Sequence, residues 1–378
     1  MKTIFNKENF IILIIIFISL TMIIVGNKVA MKDTNFFNET NDIIQEKAEV
    51  MEILESSIDE GIIFFTCKIL EGPNKGDIVT AGQIIDMITA ENTRIVEKGD
   101  KIFLGDATGY DIGADWFLYE YERYNGIMWL GVAFAILLLL FGRIKGLRTI
   151  VSLSFTCITI FLVFIPAIIS GFNIYMCSII VCLFITFMTL LIVQGPNAKS
   201  LAAGLGCCGG LLVVSGLTAI MSEILKISGL LDQDSMFLLY LETESPINLK
   251  AIIFAAITIG AMGAILDIAV DIASALSEVH RHAAKKSLQQ TIKSGITIGQ
   301  DIVGSMANTL ILAYIGSSLS LILLLLVHSG SADDLLNSEL IIVEILQALA
   351  GSIGILFTIP LTAISCGILY NMSARSKE

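Results

Sequence analysis

Long apolar runs separated by short polar connections fill most of the chain, and their length fixes its class. Eight runs can each carry a helix across a hydrocarbon layer about 30 Å thick: roughly 10 to 26, 127 to 142, 149 to 169, 174 to 194, 200 to 224, 251 to 277, 302 to 327 and 341 to 370. The last is long and contains Pro360, which predicts a span that is tilted, kinked or preceded by an interfacial turn. A different pattern lies between the first and second runs. Short β-like stretches, Val50 to Glu55, Ile62 to Leu70, Asp77 to Ala81, Lys101 to Gly105 and Trp116 to Tyr124, alternate with turns such as Glu71-Gly72-Pro73-Asn74-Lys75-Gly76 and Glu97-Lys98-Gly99-Asp100. A five-stranded barrel of the OB type fits this pattern, and a less regular sandwich is the alternative.

The expectation is a polytopic α-helical membrane protein of about eight transmembrane helices, with one small extracytoplasmic β-rich domain between the first two. Its divisions are an anchor over 1–26, a linker over 27–46, the β-rich domain over 47–125 and a seven-helix transmembrane domain over 126–378. The first run reads as an uncleaved anchor, because a cut after Ala30 would place Lys28 at a position where signal peptidases need a small residue.

Composition agrees: 55% of the 378 residues are hydrophobic and 15% charged, with mean hydropathy +0.83, too apolar for an ordinary soluble domain. Residues 31 to 125 hold 20 acidic and 8 basic residues while the rest holds 15 of each, so the β-rich segment carries the entire net charge of −12. Such a domain avoids nucleic acid. Cations set the orientation. Lys2 and Lys7, the Arg143 to Arg148 turn, Lys199, Arg281 with Lys285, Lys286 and Lys293, and Arg375 with Lys377 all fall on one side if both termini are cytoplasmic. The opposite connections hold Asp232, Asp234, Glu242, Glu244, Asp333, Asp334 and Glu339. The expected location is a cell membrane, crossed several times.

Of seven cysteines, only Cys67 lies in the β-rich segment, and none has metal-ligand or C-x-x-C spacing. No cofactor and no metal are expected, and His280 and His282 read as part of a solvated turn.

Within the sixth run, Asp267, Asp271, Ser274 and Glu278 recur at i, i+4, i+7 and i+11, on one helical face that Gly260, Gly263 and Ala264 continue. A charge at the bilayer centre costs several kcal/mol, so this face meets protein or water. Asp267 lies deepest and Glu278 nearest the cytoplasmic interface. The seventh run carries Asp301, Ser305, Asn308 and Thr309; the eighth carries Glu344, Gln347, Gly351, Gly354, Thr358, Thr362 and Ser365. For the serines and threonines, interhelical hydrogen bonding is the simpler role. Asp301 is expected to open its span, where the helix macrodipole favours an acid. Gly206 and Gly210 form a small-xxx-small pair, and together with Gly260, Gly263, Gly351 and Gly354 they are expected to let helices pack closely.

Enzyme signatures are missing. Gly299-Gln300-Asp301 is the nearest approach to the G-x-G-D of intramembrane aspartyl proteases, and neither H-E-x-x-H nor G-x-S-x-G occurs.

The runs Gly263 to Leu276, Met306 to Gly316, Leu336 to Glu339 and Gly351 to Gly354, following the β-rich domain, resemble the YibE/F family of bacterial membrane proteins. The resemblance brings no established activity. Family members more usually carry serine at the position of Asp271, which makes Asp267 the stronger candidate for a shared role. The order of one helix, an extracytoplasmic domain and a terminal set of five helices with aspartates in the third is also similar to proton-driven transporters of the resistance-nodulation-division superfamily, including SecD and SecF. That likeness implies an ion-coupled transporter or permease of unknown solute. Asp267 would bind a proton or sodium ion, with Asp271 and Asp301 assisting. The alternative is a non-transporting assembly or signalling partner, its polar stripes serving contacts in a homo-oligomer or with another membrane protein in the lipid bilayer.

Overall fold

The computed structural model describes residues 7–31, 45–54, 61–85, 93–107, 113–231, 233–240, 246–282 and 287–375. Most of the expected linker (32–44) lies outside them, as do Lys2, Asp232, Glu242, Glu244, Lys285, Lys286 and Lys377. The remainder of that linker is ordered differently from the expectation: 27–30 belong to helix α1 (Lys7–Ala30), and Gln45 and Glu46 begin a strand. The chain divides into two compact units, Met1–Phe36 with Leu138–Glu378, and Phe37–Leu137.

Among the described residues, seven helices are long and apolar enough to cross a membrane, one fewer than the apolar runs suggested. The difference is Tyr124–Ile169, a 46-residue helical run that contains both the second and the third expected spans. At 1.5 Å per residue it is more than twice as long as a hydrocarbon layer is thick. It is divided at Arg143, whose φ of 48° and ψ of −125° break the helix. The chain reverses there: a Cβ on Gly146 would lie 2.0 Å from the Leu138 carbonyl oxygen, eight residues earlier. The run comprises α2 (Tyr124–Thr159), a π-helical segment (Ile160–Phe164) and α3 (Ile165–Ile169). A π-turn leaves a carbonyl without its helical donor. The Asn27 amide of α1 donates to the Leu162 carbonyl at 2.5 Å, and the Ser170 hydroxyl donates to the Ala30 carbonyl at 2.5 Å, so polar groups pin α1 here.

The other helices are α4 (Ile174–Val193), α5 (Ala198–Ile224), α6 (Gln233–Tyr240), α7 (Leu249–His282), α8 (Leu288–Ser317), α9 (Leu319–His328), α10 (Ala332–Asn337) and α11 (Glu339–Arg375). The expected seventh span, 302 to 327, is displaced. A Ser287/Gln290 capping box starts α8 well before residue 302, and the helix breaks at Ser318. Pro360 is accommodated inside α11.

Helix α11 packs most extensively against α5, α8 and α7, and α7 against α5. The sequence explains this closeness. A Cβ on Gly206 would lie 1.9 Å from Thr362 Oγ1, on Gly210 2.0 Å from Thr358 Oγ1, and on Gly354 2.3 Å from Val214. Gly295 and Gly299 of α8 make a second notch, against Ala363 and Ile359 of α11. With hydrocarbon outside as well as inside, such close backbone approach provides the association energy that the hydrophobic effect provides in water. Buried residues include Ile257, Ile265, Ile268 and Ile272 of α7, Cys207 and Val214 of α5, and Ala350, Ile355 and Ala363 of α11.

In the other unit five strands, β1 (Gln45–Ile53), β2 (Ile62–Ile69), β3 (Ile78–Ile84), β4 (Lys101–Asp106) and β5 (Trp116–Tyr121), close into a barrel. The strand order is β1-β2-β3-β5-β4, antiparallel except for the β3–β5 pair. Alternation along β2 turns Ile63, Phe65, Cys67 and Ile69 inward against Ala48, Val50, Ile102 and Leu104.

Candidate functional site

Helix α7 carries the site because its two faces differ. One face, with Ile257, Ala261, Ile265, Ile268, Ile272 and Leu276, is fully buried. The opposite face runs Gly260, Gly263, Asp267, Asp271 and Glu278, all exposed in the single chain, with Ser274 half-buried. The stripe divides by what each side chain meets. Ser274 donates back to the Val270 carbonyl at 2.6 Å, satisfying itself within the helix. Glu278 pairs with His282 at 2.8 Å and Arg281 at 3.4 Å at the helix end. Asp267 and Asp271 have no ion-pair partner among the described residues. Nearby, Cys207 of α5 approaches the Ile265 carbonyl with its thiol at 3.8 Å, so the uncharged side of this helical turn is tied to α5.

Two contacts align α8 with α7. A Cβ on Gly260 would lie 2.8 Å from the Tyr314 hydroxyl, and one on Gly295 2.9 Å from Leu276. The helices are therefore antiparallel, with the 16 residues between Gly260 and Leu276 spanning the 19 between Gly295 and Tyr314. Asp267 falls near the level of Ser305, and Asp271 near that of Asp301. At Gly260 the stripe is closed by Tyr314 and by Gln347 of α11, 3.4 Å from the same added carbon. Beyond it the face opens, since nothing lies within 4 Å of a Cβ on Gly263 or on Gly304 of α8.

On α8 itself, Lys293, Thr297, Gln300, Asp301, Ser305, Asn308 and Thr309 form an exposed polar stripe. Asp301 sits thirteen residues past Leu288, mid-helix, so the expected placement at a helix start is corrected: the span begins earlier than hydropathy alone implied. Thr309 donates to the Ser305 carbonyl at 2.9 Å, as a helix-satisfied hydroxyl does. The α11 stripe is shared among neighbours. Gly354, Thr358 and Thr362 face α5; Gly351 meets Leu310 and Ala261; Gln347 meets Gly260; Glu344 stands beside a crevice with Tyr314.

His280 departs from the solvated-turn reading, being half-buried and stacked on Tyr370 with ring centroids 5.3 Å apart, whereas His282 is exposed. No group of three His, Cys, Asp or Glu side chains is placed to hold a metal among the described residues. The sequence reading missed Tyr314, whose phenol lies at the closed end of the stripe. It also missed the Gly295/Gly299 notch that seats α8, although the four-residue spacing was a signal for it. Buried hydroxyls of Ser215 and Thr258, without hydrogen-bond partners among the described residues, line a small cavity of about 130 Å³ between α4, α5 and α7.

No curated protein and no solved structure is significantly similar to the chain. The family model described as YibE/F-like protein matches residues 130–372, a stretch that contains α7, α8 and nearly all of α11. The seven long apolar helices among the described residues and this match, which covers more than half of the chain, together identify a multi-pass membrane protein that belongs to the YibE/F-like family.

Proposed function

We propose that the protein is an ion-coupled membrane transporter or permease, with Asp267 as the site that binds and releases a proton or sodium ion. One observation carries this reading: Asp267 and Asp271 stand on the open stripe of α7 without an ion-pair partner among the described residues, near the levels of Ser305 and Asp301 on α8. A carboxylate at the middle of a bilayer costs about 3 kcal/mol by insertion scales and more by other measures, so two of them one turn apart do not face lipid. A water-filled groove between the α7 and α8 stripes resolves that cost. Cation binding at Asp267 neutralises the deepest charge and permits α7 and α8 to shift; Asp271 and Asp301 relay or tune the ion.

The basic ends of the helices support cytoplasmic termini and a barrel on the extracytoplasmic side. The strand order and the parallel β3–β5 pair support an OB-type barrel, suited to meeting a solute or partner outside. A second reading draws on the exposed polar face of α8, which another copy of the chain would cover in a non-transporting assembly.

Proteoliposomes containing a trapped pH indicator, or external tracer sodium, discriminate the two. The expected result is flux under an imposed gradient that Asp267→Asn abolishes while insertion and amount in the membrane are unchanged, and that Asp267→Glu partly retains. Full flux through the Asp267→Asn protein would remove Asp267 as coupling site. A wild-type protein that moves neither ion yet stays a stable oligomer favours assembly.

A further inference from the structure

One end of the bundle gathers cations from three distant parts of the chain. Lys199 stands in the first turn of α5, half-buried, and its ammonium donates to the neutral Gln194 side chain at 2.8 Å. Ser152 of α2 donates to Thr189 of α4 at 2.9 Å, which puts Lys145, seven residues earlier, level with the connection between α4 and α5. Helix α7 brings Arg281 to the same end. It runs antiparallel to α5, because Cys207 meets the Ile265 carbonyl while a Cβ on Gly229, just past α5, would meet Leu249 at the start of α7. The charges of both Lys145 and Arg281 act on Lys199. Acids offset little of this. Glu278 is already shared by Arg281 and His282, and neither Lys145 nor Lys199 has a carboxylate within ion-pair distance among the described residues. The partial positive charge at the start of α5 adds to the repulsion that Lys199 meets.

We propose that Lys145, Lys199 and Arg281 bind a phosphate group, either that of an anionic lipid headgroup or a free phosphate ion. Like charges held together around a half-buried ammonium are costly alone and favourable around an anion. Phosphate suits the donor set, since its several oxygens can accept from two ammoniums and from a guanidinium fork at once. A zwitterionic headgroup would bring a further cation into the cluster. The inference concerns binding at a place other than the α7 stripe, and stands whether or not Asp267 couples an ion.

Titrating the delipidated, purified full-length protein with phosphatidylglycerol, phosphatidylcholine or inorganic phosphate, each followed by melting temperature, tests it. A saturable rise is expected with phosphatidylglycerol or inorganic phosphate and not with phosphatidylcholine. Response to the lipid alone identifies a headgroup site, and response to inorganic phosphate shows that the free ion suffices. Each of Lys145→Gln, Lys199→Gln and Arg281→Gln should weaken the apparent affinity about fivefold. Lys293→Gln removes the same charge from α8, outside the cluster, and should bind as the wild type does. The exposed Lys145 and Arg281 variants carry the test by themselves if Lys199→Gln does not fold. No saturable rise with either phosphate compound, an equal response to phosphatidylcholine, undiminished affinity in the cluster variants, or an equal loss in Lys293→Gln would each overturn the proposal.

Discussion

Glu339, the first residue of α11, holds Ser228 of the α5–α6 connection through both carboxylate oxygens. One oxygen accepts from the Ser228 and Gly229 backbone amides, each at 2.7 Å, and the other from the Ser228 hydroxyl at 2.8 Å. The turn is shaped for this: Gly229 has φ of 90°, and a Cβ there would lie 2.5 Å from Leu249 at the start of α7. One side chain thus ties together the ends of α5, α7 and α11. Removing it leaves two amides without an acceptor, so Glu339→Ala should lower stability by about 2 kcal/mol, with Glu339→Gln less harmful because its amide oxygen still accepts. Thermal unfolding of the purified protein reads the difference.

The reversal at Arg143 yields a prediction of opposite sign. A backbone at φ 48° and ψ −125° suits glycine, and a side chain there is strained. Arg143→Gly should stabilise the protein by roughly 1 kcal/mol, less what the unfolded chain gains in freedom. Gly146→Val should destabilise it, since the added carbon meets the Leu138 carbonyl. Equal melting temperatures for the two variants would rule out this turn.

Glycines in packing and glycines on the open stripe should behave differently. Gly206→Leu drives a side chain into Thr362 and should cost about 3 kcal/mol or prevent accumulation in the membrane. At Gly263 nothing lies within 4 Å, so Gly263→Leu should be tolerated for folding while narrowing the groove beside Asp267. Comparing the melting temperature with ion flux for both variants separates a packing role from a pathway role. Loss of folding in Gly263→Leu would place protein, not water, against that stripe.

Alkaline sensitivity should arise in the barrel. Burial pushes the Cys67 thiol up from 9.0 to about 12. Hydrogen bonding to Glu122, 2.5 Å away and only 5% exposed, raises Lys47 above its usual 10.5. Both groups hold their protons more tightly when folded. Their stabilisation is therefore complete below pH 9 and declines as pH rises toward 12, the thiol by about 1.4 kcal/mol per pH unit. Trp116 is the barrel's reporter once Trp129→Phe removes the other tryptophan, and its fluorescence melt should shift down between pH 9 and 11. A flat profile would mean that the thiol is not buried in the folded barrel. At neutral pH, Cys67 should resist thiol reagents until the barrel unfolds.

Much of the architecture follows from local pattern. Apolar length marked most of the long helices, β-like stretches between turn residues marked the five strands, and the i, i+4 spacing of Asp267 and Asp271 put them on one face before any neighbour was known. These properties depend on residues within a few turns of each other. Boundaries set by competing polar signals were less legible. The Ser287 capping box extends α8 backward through a polar segment that hydropathy discounts, which moves Asp301 from a helix start to mid-helix.

What the sequence by itself determined is the class of the molecule, the composition of its stripes and the acidity of its barrel, because length, period and charge are read residue by residue. Tertiary structure alone decided which stripes are covered. Gly206 and Gly263 look alike in the chain, yet one is filled by Thr362 and the other faces open space. Asp267 and Asp271 found no ion-pair partner on any neighbouring helix among the described residues. Covering depends on how α5, α7, α8 and α11 cross. That crossing is set by backbone approach at glycines far apart in sequence, so no local pattern encodes it.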